Sequence, residues 1–254
     1  MRRIVVVMTS LNRKELTDNT IGSILRQHYP NMHIVVVDDG SDIPYEYEHE
    51  DVTVLRIEKK DRKWVSPVVA YNKGISMAIN DKNAEIVILQ NAEAYHYGNV
   101  LHQTDMELSN NSYISYACFS TTKDMLPITD EKIRPYIEYS GVATGSAELG
   151  WYNHSHYYPR YFDFCSAITV ENIKKLNGFD ERFYKHVWYG DDNFVMRVRE
   201  MGLEMRIIDI PFVIHQWHSR SHQPHGYTDE SLKLFIKTIE EHSYKAVHKF
   251  NDDL

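Results

Sequence analysis

Residues 3–41 read RIVVVMTSLNRKELTDNTIGSILRQHYPNMHIVVVDDGS, and this stretch decides the fold. Ile4 to Val7 and Ile34 to Val37 are unbroken, β-branched apolar runs, the pattern of strands covered on both faces in a parallel sheet. Between them Ile21, Ile24 and Leu25 fall at helical spacing in a segment of residues 17–28 that stops before Pro30. Strand, helix and strand in so short a span make a βαβ unit, for which a right-handed crossover is expected.

The same alternation continues outward. Strands are expected at 52–57 (VTVLRI), 85–90 (EIVILQ) and 113–119, with helices at 67–81 and 98–109. This makes a doubly wound α/β half. Residues 124–165 are irregular and rich in Tyr, Gly and His. Beyond them the pattern predicts helices at 170–177 and 191–201, a strand at 204–209, a His-rich loop to 227 and a final helix at 229–248. No internal repeat and no linker interrupts the chain, so one domain over 1–254 is expected.

Composition narrows the function class. The 254 residues carry a net charge of −8, with 43% hydrophobic and 25% charged residues. This is a globular composition with enough apolar residues for a sizeable core, and it excludes disordered and collagen-like classes. The acidic balance argues against nucleic acid as a partner, because phosphate contacts need a basic face. The two cysteines, Cys118 and Cys165, make neither a disulfide framework nor a CxxC metal site. The apolar run after Met1 is too short for a secretory leader, and no run is long enough to span a bilayer. The expectation is a cytoplasmic protein, with peripheral attachment to a membrane through a partner or lipid-linked substrate left open.

In open α/β sheets ligands bind at the carboxyl ends of the strands. Three such ends are polar here: Thr9-Ser10-Leu11-Asn12-Arg13, Asp38-Asp39-Gly40-Ser41 and Gln90-Asn91-Ala92-Glu93. No GxGxxG or Walker A sequence follows any strand, which disfavours nicotinamide dehydrogenases and P-loop kinases. A nucleoside held here would therefore be held by side-chain carboxylates and amides, whose oxygens accept from a base N–H or ribose hydroxyls.

The order TSLNR, SILRQHYPN, IVVVDDGS, AYNKGI (70–75), LNGFDERF (176–183) and WYGDDNFVMRV (188–198) resembles family 2 glycosyltransferases. The resemblance implies a GT-A fold: a Rossmann-like, mainly parallel sheet flanked by helices, with residues 1–120 as donor half and 121–254 as an irregular acceptor half with the C-terminal helix. It implies inverting transfer of a hexose-type sugar from a nucleotide-diphosphate donor, UDP-linked, to a hydroxyl of a glycan, lipid-linked or protein-linked acceptor. Thr9, Ser10 and Asn12 would line the nucleotide pocket, Asp39 with Asp38 would meet base and ribose, and Asn72, Gln90 and Asn91 would lie near the donor. Asp191, with Asp192 beside it, would be the base that takes the acceptor proton. An Asp at that position is also a good helix N-cap. Trp188 would face the acceptor, and the aromatic stretch Tyr136, Tyr139, Trp151, Tyr152, Tyr157, Tyr158 and Tyr161 could pack on sugar rings or simply in the core.

One departure matters. Where the family carries Asp-x-Asp to hold a divalent cation, this chain has Asn91-Ala92-Glu93, with a single carboxylate. Glu93 can still ligate Mn2+ or Mg2+, and His215 or His218 would supply an imidazole, a donor better suited to Mn2+. His154, His156, His222 and His225 are lesser candidates, and Arg220 is a candidate diphosphate partner. The lost carboxylate leaves three readings: a weakly held cation, metal independence, or a glycosyltransferase-like module that binds nucleotide-sugar or glycan without catalysis.

Overall fold

The computed structural model describes residues 1–137, 149–186, 188–219 and 229–247. The first apolar run forms β1 (Arg3–Ser10), in which Ile4 to Met8 are at most 1% exposed. It lies between β2 (Met32–Asp39) and β4 (Ala84–Asn91), parallel to both, and β3 (Val52–Ile57) pairs in parallel with the far side of β2. Alternate side chains of β1 enter opposite cores. Ile4, Val6 and Met8 pack with Ile21 and Ile24 of α1 (Lys14–Leu25), whereas Val5 and Val7 pack with Val69, Ala70 and Ile75 of α2 (Val68–Asn80). This two-sided burial is the physical reason that the strand runs do not alternate.

The remaining elements are β5 (Ala94–Tyr97), α3 (Val100–Glu107), β6 (Ser112–Ser120), α4 (Asp130–Ile137), β7 (Gly150–Asn153), β8 (Cys165–Thr169), α5 (Val170–Leu176), α6 (Gly190–Glu200), β9 (Glu204–His215) and α7 (Asp229–Glu240). The sheet order is β3-β2-β1-β4-β8-β6-β9-β5, with β7 paired to β6. The GT-A-type architecture is thus present: a parallel sheet flanked by helices, continued into a mixed sheet. Among the described residues no helix is long and apolar enough to cross a membrane.

The structure corrects several boundaries. β8 was not expected. It enters antiparallel between β4 and β6, so residues 113–119 are not next to β4 as simple winding would have them. Its residues, Cys-Ser-Ala-Ile-Thr, are fully buried but too short and small to give a strand pattern. β7 falls in the segment expected to be irregular, and β5 lies between the expected strand 85–90 and the expected helix 98–109; each is a short piece paired to one neighbour. β9 continues past Pro211 to His215, with a register shift against β6, whereas the sequence pattern predicts a strand that ends at 209 and a His-rich loop beyond it. The last helix ends at Glu240, not 248, and α1 begins at Lys14, not 17.

These corrections position the site. β1, β2, β4, β6 and β9 end on one edge, shown by the registers Ser10 with Asp38, Thr9 with Asn91 and Ser120 with His215. Because β8 runs the other way, its start lies on that same edge, Cys165 opposite Gln90. Residues from positions 9 to 218 therefore converge.

Candidate active site

At the end of β2, Asp38 is fully buried and accepts from the Ser41 and Tyr45 amides at 3.1 and 2.8 Å and from Arg56 Nη1 at 2.6 Å. Burial pushes its carboxyl up, but these donors outweigh it and hold the group below its ordinary value. Asp38 therefore shapes the loop after β2. Asp39 meets the indole N–H of Trp64 at 2.8 Å and Arg62 Nε at 3.0 Å, and burial leaves its carboxyl raised despite them. Asn12, in the left-handed region at φ 54°, exchanges hydrogen bonds with Asp42 and donates its backbone N–H to the Ser41 hydroxyl. It ties the loop after β1 to the loop after β2.

Three sequence candidates are turned into the fold. Ser10 bonds the Thr17 hydroxyl at 2.9 Å at the start of α1. Asn72 spends its amide on the backbone of Phe179 and on Glu181, joining α2 to residues 179–181. Gln90 accepts from His96 Nε2 at 2.7 Å, while Gln27 donates to His96 Nδ1 at 2.9 Å. That chain satisfies a buried imidazole that desolvation pulls down to about 3.

The ends of β4 and β9 bring a second group together. Glu93, 2% exposed, directs Oε1 at His215 Nε2 and His218 Nε2, 3.3 and 3.4 Å away, and Oε2 at Arg13 Nη1, 2.6 Å away. Burial would raise the Glu93 carboxyl, but Arg13 and the two imidazoles keep it well below the ordinary range. Burial lowers His215 in spite of Glu93, so the ring is neutral near pH 7. Glu93, His215 and His218 offer three ligand atoms that all lie within 4.8 Å of one another. One carboxylate oxygen and two imidazole nitrogens form a donor set that fits Mn2+, and the extension of β9 to His215 is what completes it.

A third group lies beside it. Asp191 and Asp192 stand in the first turn of α6, but the N-cap is Tyr189, in the left-handed region at φ 71°, and no side chain caps the helix. The capping role open to Asp191 from sequence is therefore not taken. Among the described residues its carboxylate accepts no hydrogen bond, and it stays open to solvent in a crowded setting. Desolvation, then the charges of Asp163 and Asp192, raise it well above the ordinary range. Asp163, 4% exposed just before β8, is itself pushed up to about 6 by burial. Desolvation also raises Asp192, against the pull of Arg160.

Tyr71 connects the groups. Its hydroxyl donates to the Gln90 carbonyl at 2.8 Å and approaches Asn91 Oδ1 at 3.3 Å, and Thr9 bonds to it. Burial first, then Asp163, Asp191 and Glu93, raise this phenol. One hydroxyl thus feels both the acid pair and the candidate cation ligand. Neither Tyr71, inside the expected helix 67–81, nor Asp163, a lone acid among aromatics, is among the sequence candidates. The signal for Asp163 was an unpaired carboxylate immediately before a buried apolar segment.

Trp188 is 39% exposed next to the acid pair. Trp151 and Tyr152 are core residues, and Tyr157 is exposed, so the aromatic stretch divides between packing and surface. His154 stands against Asp209 at 3.6 Å and packs on Trp151 and Tyr157, apart from the Glu93 group. Arg220, His222, His225, Tyr139 and the side chain of Tyr136 lie outside the described residues.

No match was found among curated protein sequences. Among solved structures the chain is similar to the mannosyltransferase PcManGT from Pyrobaculum calidifontis in complex with GDP-Man and Mn2+, with TM-score 0.53 and 14% identity over 95% of this chain and 70% of that one. It is also similar to residues 1–349 of S. aureus TarS, with TM-score 0.55 and 12% identity over 84% of this chain and 60% of that one. A longer TarS structure gives TM-score 0.56 and 12% identity, with 37% of its length covered. At such identities the likeness concerns the fold, and the chain spans 60% or less of either TarS chain. The sequence itself carries the family: the family model Glycosyl transferase family 2 matches residues 5–162, more than half of the chain. This chain belongs to glycosyl transferase family 2.

Proposed function

We propose that this family 2 glycosyltransferase moves a hexose-type sugar with inversion from a nucleoside-diphosphate donor to an acceptor hydroxyl, with Asp191 as general base. The observation that carries this reading is the Tyr71 hydroxyl, which feels Asp163 and Asp191 on the one hand and Glu93 on the other. Inverting transfer needs those two functions together: a carboxylate to take the acceptor proton, and positive charge to stabilise the departing diphosphate. Asp191 suits the first task because no hydrogen bond from the described residues consumes it and its raised proton affinity makes it a stronger base. Asp192 stands beside it, and Trp188 offers an exposed ring to the acceptor.

Glu93, His215 and His218 would hold Mn2+ or Mg2+, which when bound supplies charge neutralisation to the diphosphate. Thr9 and Asn91 would flank the donor through Tyr71. Asp39 would read the nucleobase, and to do so it would exchange its bond from Arg62 for one from the base. Asp38 and Asn12 act one step away, by fixing the two loops. The PcManGT structure, which holds GDP-Man and Mn2+, supports a nucleotide-sugar donor with a cation.

The test is a panel of UDP- and GDP-sugars assayed with and without Mn2+, using wild type and Asp191→Asn. Turnover lost in the variant with donor binding retained supports the assignment. Full activity in the variant sinks it. Metal-dependent nucleotide binding with no turnover on any donor would instead identify a non-catalytic binding module.

A further inference from the structure

Arg13 lies at the end of the loop after β1, and its side chain divides the Glu93 carboxylate with the two histidines. Nη1 donates to Oε2 at 2.6 Å, whereas His215 Nε2 and His218 Nε2 both face Oε1. The second guanidinium nitrogen, Nη2, lies 3.5 Å from His218 Nδ1, and that same ring nitrogen lies 3.1 Å from the Ser219 carbonyl. A neutral imidazole has only one N–H, so His218 can satisfy these neighbours in two ways.

In one arrangement Arg13 donates to Nδ1, and Nε2–H donates to Glu93 Oε1. The network is then closed, and His218 offers no lone pair to a cation. In the other, Nδ1–H donates to the Ser219 carbonyl, and the Nε2 lone pair faces Glu93 Oε1 at 3.4 Å. Two lone pairs opposed at that distance favour a cation between them. Charge follows the same logic. Asn91 contributes none, so Glu93 is the one carboxylate of the Asn-Ala-Glu motif, and a guanidinium on Oε2 cancels it.

Taking Glu93, His215 and His218 as the cation site proposed above, we propose that Arg13 is a built-in competitor for that site. Its guanidinium neutralises Glu93 and holds His218 as the Nε2–H tautomer. A divalent cation binds with Arg13 drawn away from Glu93 and with His218 switched to Nδ1–H, its Nε2 freed as a ligand. The cation is therefore weakly held in the donor-free protein because an internal cation stands in its place.

The experiment is a titration of nucleotide-free protein with Mn2+, following free Mn2+ by electron paramagnetic resonance, for wild type, Arg13→Gln, Arg13→Lys and Glu93→Gln. Nitrogen-15 spectra of labelled histidine report the His218 tautomer in metal-free wild type and Arg13→Gln. The expected result is Mn2+ binding about tenfold or more tighter in Arg13→Gln, which corresponds to relief of one modest charge competition. Arg13→Lys should fall between that variant and wild type. His218 should carry its proton on Nε2 in wild type and on Nδ1 in Arg13→Gln. Competition is overturned if Arg13→Gln, with an unchanged melting temperature, binds Mn2+ no tighter than wild type. It is overturned equally if metal-free wild-type His218 is protonated on Nδ1. Should Arg13→Gln not fold, Arg13→Lys binding no tighter than wild type has the same meaning. A Glu93→Gln protein that binds Mn2+ as well as wild type refutes the cation site itself, a failure separate from that of competition.

Discussion

Gly74 sets the distance between α2 and the sheet, and replacing it with Ala tests how tightly that distance positions the site. A Cβ at Gly74 would lie 2.5 Å from Val7 Cγ1 and 3.0 Å from Val37 Cγ2. Carbon atoms are at ease at ~3.5 Å or more, so the closer contact is short by about 1 Å. Val7 and Val37 are fully buried, β-branched strand residues and cannot swing away. The helix must therefore move by a comparable distance. Such overpacking costs about 1–3 kcal/mol, against a gain of ~1 kcal/mol from replacing a helical glycine by alanine. Displacement also strains the Tyr71 bond to the Gln90 carbonyl and the Asn72 bonds to Phe179, at 2.8 and 2.9 Å, which lie on the same helix. The expected net loss is up to about 2 kcal/mol, with kcat reduced as much as ~100-fold by a shift of that size at the site. Gly22 in α1 provides the control, because there the nearest atom to an added Cβ is the end of the flexible Arg26 side chain at 3.4 Å. Gly22→Ala should stabilise the protein by about 0.5–1 kcal/mol. Urea midpoints of both variants decide the matter. If they shift in the same direction, the close approach of α2 is not what limits position 74.

Further outcomes follow from the same structure. Asp191→Asn should lower kcat by roughly 100- to 10,000-fold while leaving the nucleotide Kd unchanged; a parallel loss of nucleotide binding would place Asp191 in the donor pocket instead. Because the base must be ionised and its proton affinity is raised, activity should climb with pH at values above the ordinary carboxylate range. Asp163→Asn, which removes a neighbouring charge, should move that acid limb to lower pH, and an unmoved limb in the pH profile would refute the coupling. His96, with its pKa drawn from 6.5 to about 3, cannot take up the proton that the unfolded chain accepts as pH falls below 6.5. Between pH 7 and pH 5 this removes about 2 kcal/mol of stability, so His96→Gln should lose less over that interval in paired urea melts. Arg197, 1% exposed in α6, donates to Asn193, Leu176, Gly178 and Tyr244. Arg197→Met takes the donor from these buried oxygens and should cost about 2–4 kcal/mol, read as a lower urea midpoint.

The parallel half of the molecule was legible residue by residue. Ile4 to Val7 and Ile34 to Val37 announce two-sided burial, because a strand between two helical layers has no face on which to place polar residues. Its polar ends were legible for the same reason, since backbone direction brings the carboxyl ends of parallel strands to one edge. Charged and amide residues at those ends could be named, but not sorted. Ser10, Asn72 and Gln90 look like pocket residues in sequence and bond inward, because neighbours from positions 17, 179 and 96 reach them first.

Tertiary structure alone decided the rest. The antiparallel entry of β8 carries Asp163 to the edge beside Asp191, across 28 positions that hold no sequence pattern linking them. β9 runs through Pro211 because β5 and β6 pair on either side of it, and only that extension delivers His215 to Glu93. Local sequence specifies how a segment folds through its own periodicity. Which side chains share a charge, a proton or a cation depends on long-range pairing, and the energies involved are set by burial that no single segment contains.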